Sequence, residues 1–328
     1  MEIPMKLKQG DEIRIIAPSR SMKILSEDGI QLAKGRLEQL GFQVTFGKHV
    51  EVCDRQNSSS IEQRIEDLHD AFADKNVKGI LTVIGGFNSN ELLPYIDYEL
   101  IKANPKILCG FSDITALTNT ITAKCDFITY SGPHFSSFQM TGLQDYQTTY
   151  FKKCFMNDES YVLQPSTKWS DDLWFLNQEK RVYENTKWKV YSEGNVTGTL
   201  FGGNLCTLNL LQGTEYMPHL KDCILFVEDD ELTIPETFAR DLTSLLQVSE
   251  GIKGLLIGRF QKVSKITEEQ LHFILDKHSQ LKNIPVLYDM DFGHTQPIMT
   301  LPIGGTISIN TKDFRSLDVP SMVRIFNH

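Results

Sequence analysis

The chain of 328 residues has no Cys-x-x-Cys pair; its six cysteines, Cys53, Cys109, Cys125, Cys154, Cys206 and Cys223, are scattered. That spacing offers neither a zinc site nor a disulfide framework, so we expect reduced thiols packed as small hydrophobes and no metal. No stretch approaches the roughly 18 apolar residues that a membrane helix needs, and MEIPMKLKQGDEIRIIAPSR has no apolar core followed by a small-residue cleavage site. A cytoplasmic protein without membrane contact is expected. Runs of Lys or Arg are also missing, and 33 basic against 42 acidic residues leave a net charge of −9. This argues against nucleic-acid binding, which needs a concentrated basic face. Neither Gly-x-Gly-x-x-Gly nor a Walker loop occurs, which removes the dinucleotide and nucleoside-triphosphate fingerprints. Internal repeats and low-complexity segments are absent as well. With 41 % hydrophobic and 23 % charged residues, the composition is that of an ordinary globular protein, long enough for about two domains.

What is present is an alternation. Residues 12–17 read as a strand, and Ser26 caps a helix striped by Ile30, Ala33, Leu37 and Leu40 and stopped at Gly41. A strand over 42–46 follows. Ser59 with Glu62, or Ser60 with Gln63, then fits a capping box before Ile61, Ile65, Leu68 and Phe72. A continuous apolar strand over 77–84 ends in Gly85-Gly86, a helix is expected over 91–103, and a strand over 106–109. This rhythm predicts a parallel sheet with helices on its faces, where chemistry gathers at the carboxyl ends of the strands. The pattern degrades between about Tyr150 and Glu193, which reads as a connection with a long loop. Regular elements then resume, with strands expected over 223–228, 254–259 and 285–290 and helices over 205–211, 236–246 and 267–277. We therefore expect an N-terminal α/β domain over 1–155, a connection and substrate loop over 156–193 and a C-terminal β/α domain over 194–328.

The sharpest local feature is Ile107-Leu108-Cys109-Gly110-Phe111-Ser112-Asp113, a buried strand running through Gly-x-Ser into a helix. That is the setting of a nucleophile elbow, which lifts a serine hydroxyl above the sheet edge and aims the next amide, that of Asp113, at the same spot. The plain alternative is a serine capping its helix, and Ile114 stands where the usual elbow has a second glycine. One strand away, Gly85-Gly86-Phe87-Asn88-Ser89 could bring free amides to an anion.

A serine nucleophile needs a base, and the base an orienting carboxylate. His69, His272 and His278 lie in helical patterns, His49 and His219 in polar loops, and His328 is terminal. His294, after a strand and a glycine, is placed to enter a crevice; His134, after Ser131-Gly132-Pro133, is placed to line one. For the carboxylate, spacing does not choose among Glu228, Asp229 and Asp230. Trp174 and Trp188 flank the irregular segment, where an aromatic either stacks on a planar ligand or anchors the loop.

Taken together, GDEIRIIAPS, IGGFNSNELLPYIDY, CGFSDITAL, GTLFGGNLCTLNLLQGTEYMP, ILFVEDD, GLLIGRF and DFGHTQPIMTLPIGG resemble the LD-carboxypeptidase family of serine peptidases, and within it the microcin C self-immunity branch. The resemblance runs from about Gly10 to Gly305. It implies a flavodoxin-like, doubly wound parallel sheet joined to a C-terminal β/α domain, in a homodimer that needs no cofactor. It also implies Ser112 as nucleophile, Glu228 as orienting carboxylate, His294 as general base, and the amides of Gly86 and Asp113 as oxyanion donors. Murein-recycling members typically carry an Arg-Gly-Gly-Tyr-Gly stretch where this chain reads Ile84-Gly85-Gly86-Phe87-Asn88. The self-immunity branch hydrolyses an amide joining an acidic amino acid to a nucleotide-like group, with a loop aromatic stacked on the adenine. The match points to Trp188 for that role and to Trp174 in reserve; Asn88, Ser89 and His134 are the other candidate substrate contacts. The alternative activities are release of D-Ala from a murein tetrapeptide and non-catalytic binding of a small anion.

Overall fold

The computed structural model describes residues 1–311 and 322–327. Five parallel strands, β1 (Glu12–Ile16), β2 (Gln43–Phe46), β3 (Val77–Thr82), β4 (Ile107–Cys109) and β5 (Thr129–Ser131), form the first sheet in the order β2-β1-β3-β4-β5. This is the flavodoxin-like order, whose ligand-binding crevice opens where the winding reverses, beside β1 and β3. The inner strand β4 is apolar and buried throughout, as a parallel strand covered on both faces is.

The helices begin and end for local reasons. Ser26 accepts a hydrogen bond from the Gly29 amide and starts α1 (Glu27–Gln39), which buries Ala33 and Leu37; Gly41 then turns at φ +98°. Of the two possible capping boxes it is Ser60 with Gln63 that closes on α2 (Ile61–Ala73). The helix expected over 91–103 is broken instead into a 3₁₀ segment, Ser89–Tyr95, and α3 (Tyr98–Lys102). Pro94 sits inside the first piece, where it supplies no amide and disfavours helical backbone at the preceding residue. Asp97 then caps the second piece through the Leu100 amide. After β4 come α4 (Thr115–Cys125) and α5 (Gln144–Phe155).

The expected connection over 156–193 is more ordered than its polarity suggests. It holds β6 (Tyr161–Leu163), a small hairpin of β7 (Lys168–Trp169) and β8 (Glu184–Asn185), and β9 (Lys189–Ser192). The second sheet is built on four parallel strands, β10 (Asn195–Asn204), β11 (Ile224–Glu228), β12 (Gly254–Gly258) and β13 (Val286–Met290), with α6 (Leu205–Asn209), α7 (Pro235–Val248) and α8 (Glu268–Asp276) between them. Of its other strands, β9 pairs antiparallel with β13, and β15 (Thr306–Asn310) and β16 (Met322–Ile325) extend the opposite side to reach β6. One strand crosses back: β14 (Leu301–Ile303) pairs antiparallel with β5 of the first sheet.

The halves are fused at α4. Gly202 and Gly203 hold φ of +144° and +140°; a Cβ on the first would lie 1.8 Å from the Phe226 carbonyl, and on the second 2.4 Å from Thr115 Oγ1. The bare backbone lets Asn119 donate to the Gly202 carbonyl at 2.8 Å and the Asn204 amide donate to Thr115 Oγ1 at 3.0 Å. The helix that follows Ser112 is thereby bolted to the strand beside Glu228. Among the described residues no helix is long and apolar enough to cross a membrane.

Candidate active site

Ser112 follows β4 and opens a short 3₁₀ turn that leads into α4. Its φ of +59° is left-handed, a conformation that costs a side-chain-bearing residue about 1–2 kcal/mol. Two glycines make room for this turn. A Cβ at Gly110 would lie 2.3 Å from Thr82 Oγ1, and one at Gly85 only 2.9 Å from Ser112 Cβ and 3.0 Å from its Oγ. The Gly85-Gly86 loop therefore lies directly against the serine. The Asp113 carboxylate staples that loop in place, accepting from the amides of Asn88 (3.0 Å) and Ser89 (2.9 Å) and from Ser19 Oγ (2.6 Å). Ser89 Oγ donates in return to the Asp113 carbonyl at 2.6 Å.

The other half supplies the partners. Glu228 is the last residue of β11 and is 3 % exposed. His294 follows Gly293, whose φ of +97° turns the chain back over Glu228; a Cβ there would meet Glu228 Oε2 at 2.6 Å. The imidazole thus spans the two halves, with Nδ1 2.7 Å from Glu228 Oε2 and Nε2 3.0 Å from Ser112 Oγ. Burial pushes His294 down, but the Glu228 carboxylate, through its charge and its hydrogen bond, outweighs it; with Asp230 and Glu231 it holds the imidazole up at about 9. Asp229, next to Glu228, is raised to about 7, first by burial and then by the charges of Glu228 and Asp230. Of the three carboxylates that spacing left open, it is Glu228 that contacts the histidine.

Three of the expected substrate contacts are placed otherwise. Trp188 is 2 % exposed and its indole N–H donates to Asp291 Oδ2 at 2.7 Å, so its ring offers no stacking face; it anchors the chain to the loop that carries His294. Ser89 is fully buried and spent on Asp113. His134 is also buried, with Nδ1 2.7 Å from Thr82 Oγ1 and its ring stacked on Phe111 at 4.3 Å. Burial, then the charge of His294, lowers it to about 3. It is a neutral support behind the elbow, and the ring that meets His294, edge-on at 5.4 Å, is that of Phe111. Asn88 is half-buried at the loop, and Trp174 is half-buried between β7 and β8 against Phe175.

Other residues were not singled out from the sequence. Asp291, three positions before His294, is fully buried and accepts from Arg259 (3.0 Å), the Ser166 amide (2.8 Å) and Trp188. Ser170 exchanges backbone hydrogen bonds of 2.9 and 2.8 Å with Gln296, tying the hairpin root beside the histidine. The acidic residue of Gly-Phe-Ser-Asp was the available signal for the staple. Nothing local announced Arg259 or Asp291, since their pairing is set by the order of β12 and β13. Among the described residues no group of three or more His, Cys, Asp or Glu could hold a metal ion.

Residues 13–132 match the LD-carboxypeptidase N-terminal domain and residues 197–309 the LD-carboxypeptidase C-terminal domain. The chain belongs to the LD-carboxypeptidase family. It is accordingly an enzyme, a carboxypeptidase of the serine-peptidase type. YocD of Bacillus subtilis (strain 168) is 52 % identical, covering 93 % of this chain and 94 % of the relative. The microcin C7 self-immunity protein MccF of Escherichia coli is 32 % identical, with 93 % and 92 % covered. Among solved structures, the MccF-like protein of Bacillus anthracis str. Ames superposes with a TM-score of 0.96 at 47 % identity, each chain covered in full. MccF in complex with aspartyl sulfamoyl adenosine gives 0.89 at 30 % identity, with 99 % of this chain and 98 % of that one covered.

Proposed function

We propose that this carboxypeptidase hydrolyses the amide between an acidic amino acid and a nucleotide-like group, with Ser112 as nucleophile, His294 as base and Glu228 as the orienting carboxylate. The observation that carries the reading is the line from Glu228 Oε2 through the imidazole to Ser112 Oγ, 2.7 and 3.0 Å long, with the serine on a left-handed elbow. In this reading the neutral imidazole takes the Ser112 proton as Oγ attacks the carbonyl, and Glu228 fixes the tautomer and stabilises the imidazolium that forms. The amides of Gly86 and Asp113 receive the oxyanion, and losing one such donor costs about 2.7–4 kcal/mol of transition-state stabilisation. The imidazolium then protonates the leaving nitrogen. Water activated by the same imidazole cleaves the acyl-enzyme.

Residues 1–155 bring the nucleophile and residues 194–328 the orienting carboxylate and the base, so the reaction takes place between the halves, in a cytoplasmic homodimer. The substrate class is supported by MccF, whose structures hold aspartyl sulfamoyl adenosine and glutamyl sulfamoyl guanosine. The rival substrate is a murein tetrapeptide, supported by the 25 % identical murein tetrapeptide carboxypeptidase of Pseudomonas aeruginosa. Incubation of wild type and Ser112→Ala with aspartyl sulfamoyl adenosine, and separately with the tetrapeptide, followed by mass spectrometry, decides between them. Cleavage of the nucleoside conjugate by wild type alone is expected. Cleavage of only the tetrapeptide would move the substrate assignment and keep the triad; turnover by Ser112→Ala above a few per cent of wild type would remove the nucleophile.

A further inference from the structure

Outside the triad, a cavity of about 650 Å³ lies at the carboxyl ends of β12 and β13, under the root of the β7–β8 hairpin. That volume lies within the range of small-molecule sites. Five cationic side chains line it, Lys187, Lys189, Arg259, Lys262 and Lys265, together with Trp169. None of Ser112, Glu228 and His294 does.

The cations are not equivalent. Arg259 is committed to Asp291, to Thr186 Oγ1 at 2.8 Å and to the Asp289 carbonyl at 2.6 Å. Lys189 pairs with Glu268 and Asp289, and Lys262 with Glu184. Lys187 and Lys265 are exposed and form no ion pair among the described residues. The Trp169 ring has the guanidinium carbon of Arg259 at 5.2 Å and Nζ of Lys262 at 5.3 Å from its centre, so the aromatic wall and the positive charge meet at one place. Phe260 and Ile266 extend the apolar side. Lysines are point-charge partners for phosphate, and the space left beyond one phosphate is walled by rings and an aliphatic side chain.

We propose that this cavity binds an organic phosphate, its phosphate between Lys187 and Lys265 and its apolar part against Trp169. The site is separate from the triad crevice but mechanically close to it. Ser170, next to Trp169, is hydrogen-bonded through its backbone to Gln296, two residues past His294.

Phenyl phosphate is the probe, titrated calorimetrically into the full chain at low ionic strength, with inorganic phosphate as comparison. Wild type and Ser112→Ala are expected to bind phenyl phosphate equally, since the nucleophile is not part of the site. The double variant Lys187→Glu/Lys265→Glu is expected to bind at least about tenfold more weakly, a loss of about 1.4 kcal/mol. A matched variant, Lys152→Glu/Lys253→Glu, changes the net charge equally at exposed positions outside the cavity and should bind as wild type does. Trp169→Phe should abolish part of the tryptophan fluorescence change seen on titration. No binding by wild type, equal weakening by the two double variants, or a loss of binding in Ser112→Ala would each overturn the proposal. Inorganic phosphate binding as tightly as phenyl phosphate would refute the apolar half of the site.

Discussion

Replacing Glu228 by Gln keeps the shape of the side chain beside His294 and removes its charge. The carboxylate and the imidazole lie 2.7 Å apart, with Glu228 3 % and His294 18 % exposed at the side chain, so little water screens the pair. With Glu228 in place the histidine sits at about 9 rather than 6.5. That net rise of about 2.5 pH units, at 1.36 kcal/mol each, is on the order of 3 kcal/mol and is what remains after the charges of Glu228, Asp230 and Glu231 have offset burial. Once the Glu228 charge is gone, burial is opposed only by the lesser contributions of Asp230 and Glu231, so the variant histidine should fall well below 9. The base works only when neutral. In wild type, kcat/KM on an aminoacyl sulfamoyl nucleoside should therefore climb with pH through about 9. In Glu228→Gln the acid limb should move down by more than about 2 pH units, while the plateau drops by roughly 10⁴-fold because the tautomer is no longer fixed. Profiles measured from mildly acidic to strongly alkaline buffers read both effects. If the variant's acid limb stayed within about half a pH unit of wild type, the titrating group would not be the histidine facing Glu228, and the role given to the pair would fail.

The same pair enters stability with a definite sign. Because the folded histidine sits above 6.5, its contribution is fully present below that pH and is lost as pH rises through about 9; thermal melts should show Tm falling over this window in wild type and markedly less in Glu228→Gln. Asp229 acts in the same direction, since a carboxyl raised from 3.8 to about 7 resists ionising in the folded state and weakens the fold as pH climbs between those values. Asp229→Asn should therefore raise Tm at pH 8 and leave it nearly unchanged at pH 4; no difference between the two pH values would refute the burial argument. Gly293→Ala introduces a Cβ 2.6 Å from Glu228 Oε2 at a φ of +97°, so kcat should fall at least about a hundredfold, and near-wild-type kcat would show that the turn yields freely. The two tryptophans should separate: Trp174→Ala is expected to raise KM for the nucleoside conjugate roughly tenfold, as loss of a stacking partner does. Trp188→Phe should instead cost about 1–3 kcal/mol in a denaturant melt by depriving the buried Asp291 of a donor, with no selective effect on KM.

The legible parts of this chain were those whose cause is local. The inner strand β4 shows as an unbroken apolar run because both its faces are covered, and Ser26, Ser60 and Gly41 mark helix ends because caps and left-handed turns are satisfied within a few residues. Ser112 was visible for the same reason: a strand, a Gly-x-Ser turn and a helix are consecutive in sequence. The break at Pro94 was equally local and shows that a helical stripe must yield to a missing amide. Trp188 was misleading because a polar, aperiodic neighbourhood reads as loop. The ring is in fact buried by the pairing of β9 with β13 and by a carboxylate 103 positions away. Arg259 with Asp291 belongs to the same class, since the pair is brought together by the order of β12 and β13; Trp169 with Lys262 joins the separate β7–β8 hairpin to the turn after β12, which spacing does not announce either. Assembly of the triad is the limiting case. Ser112 and His294 are 182 positions apart, and no periodicity encodes their 3.0 Å separation. It depends on two glycines at φ +144° and +140° that let α4 settle on β10. Covalent chemistry at this site thus rests on how closely the two halves pack, and side-chain bulk at Gly202 or Gly203 would part nucleophile from base before it touched either.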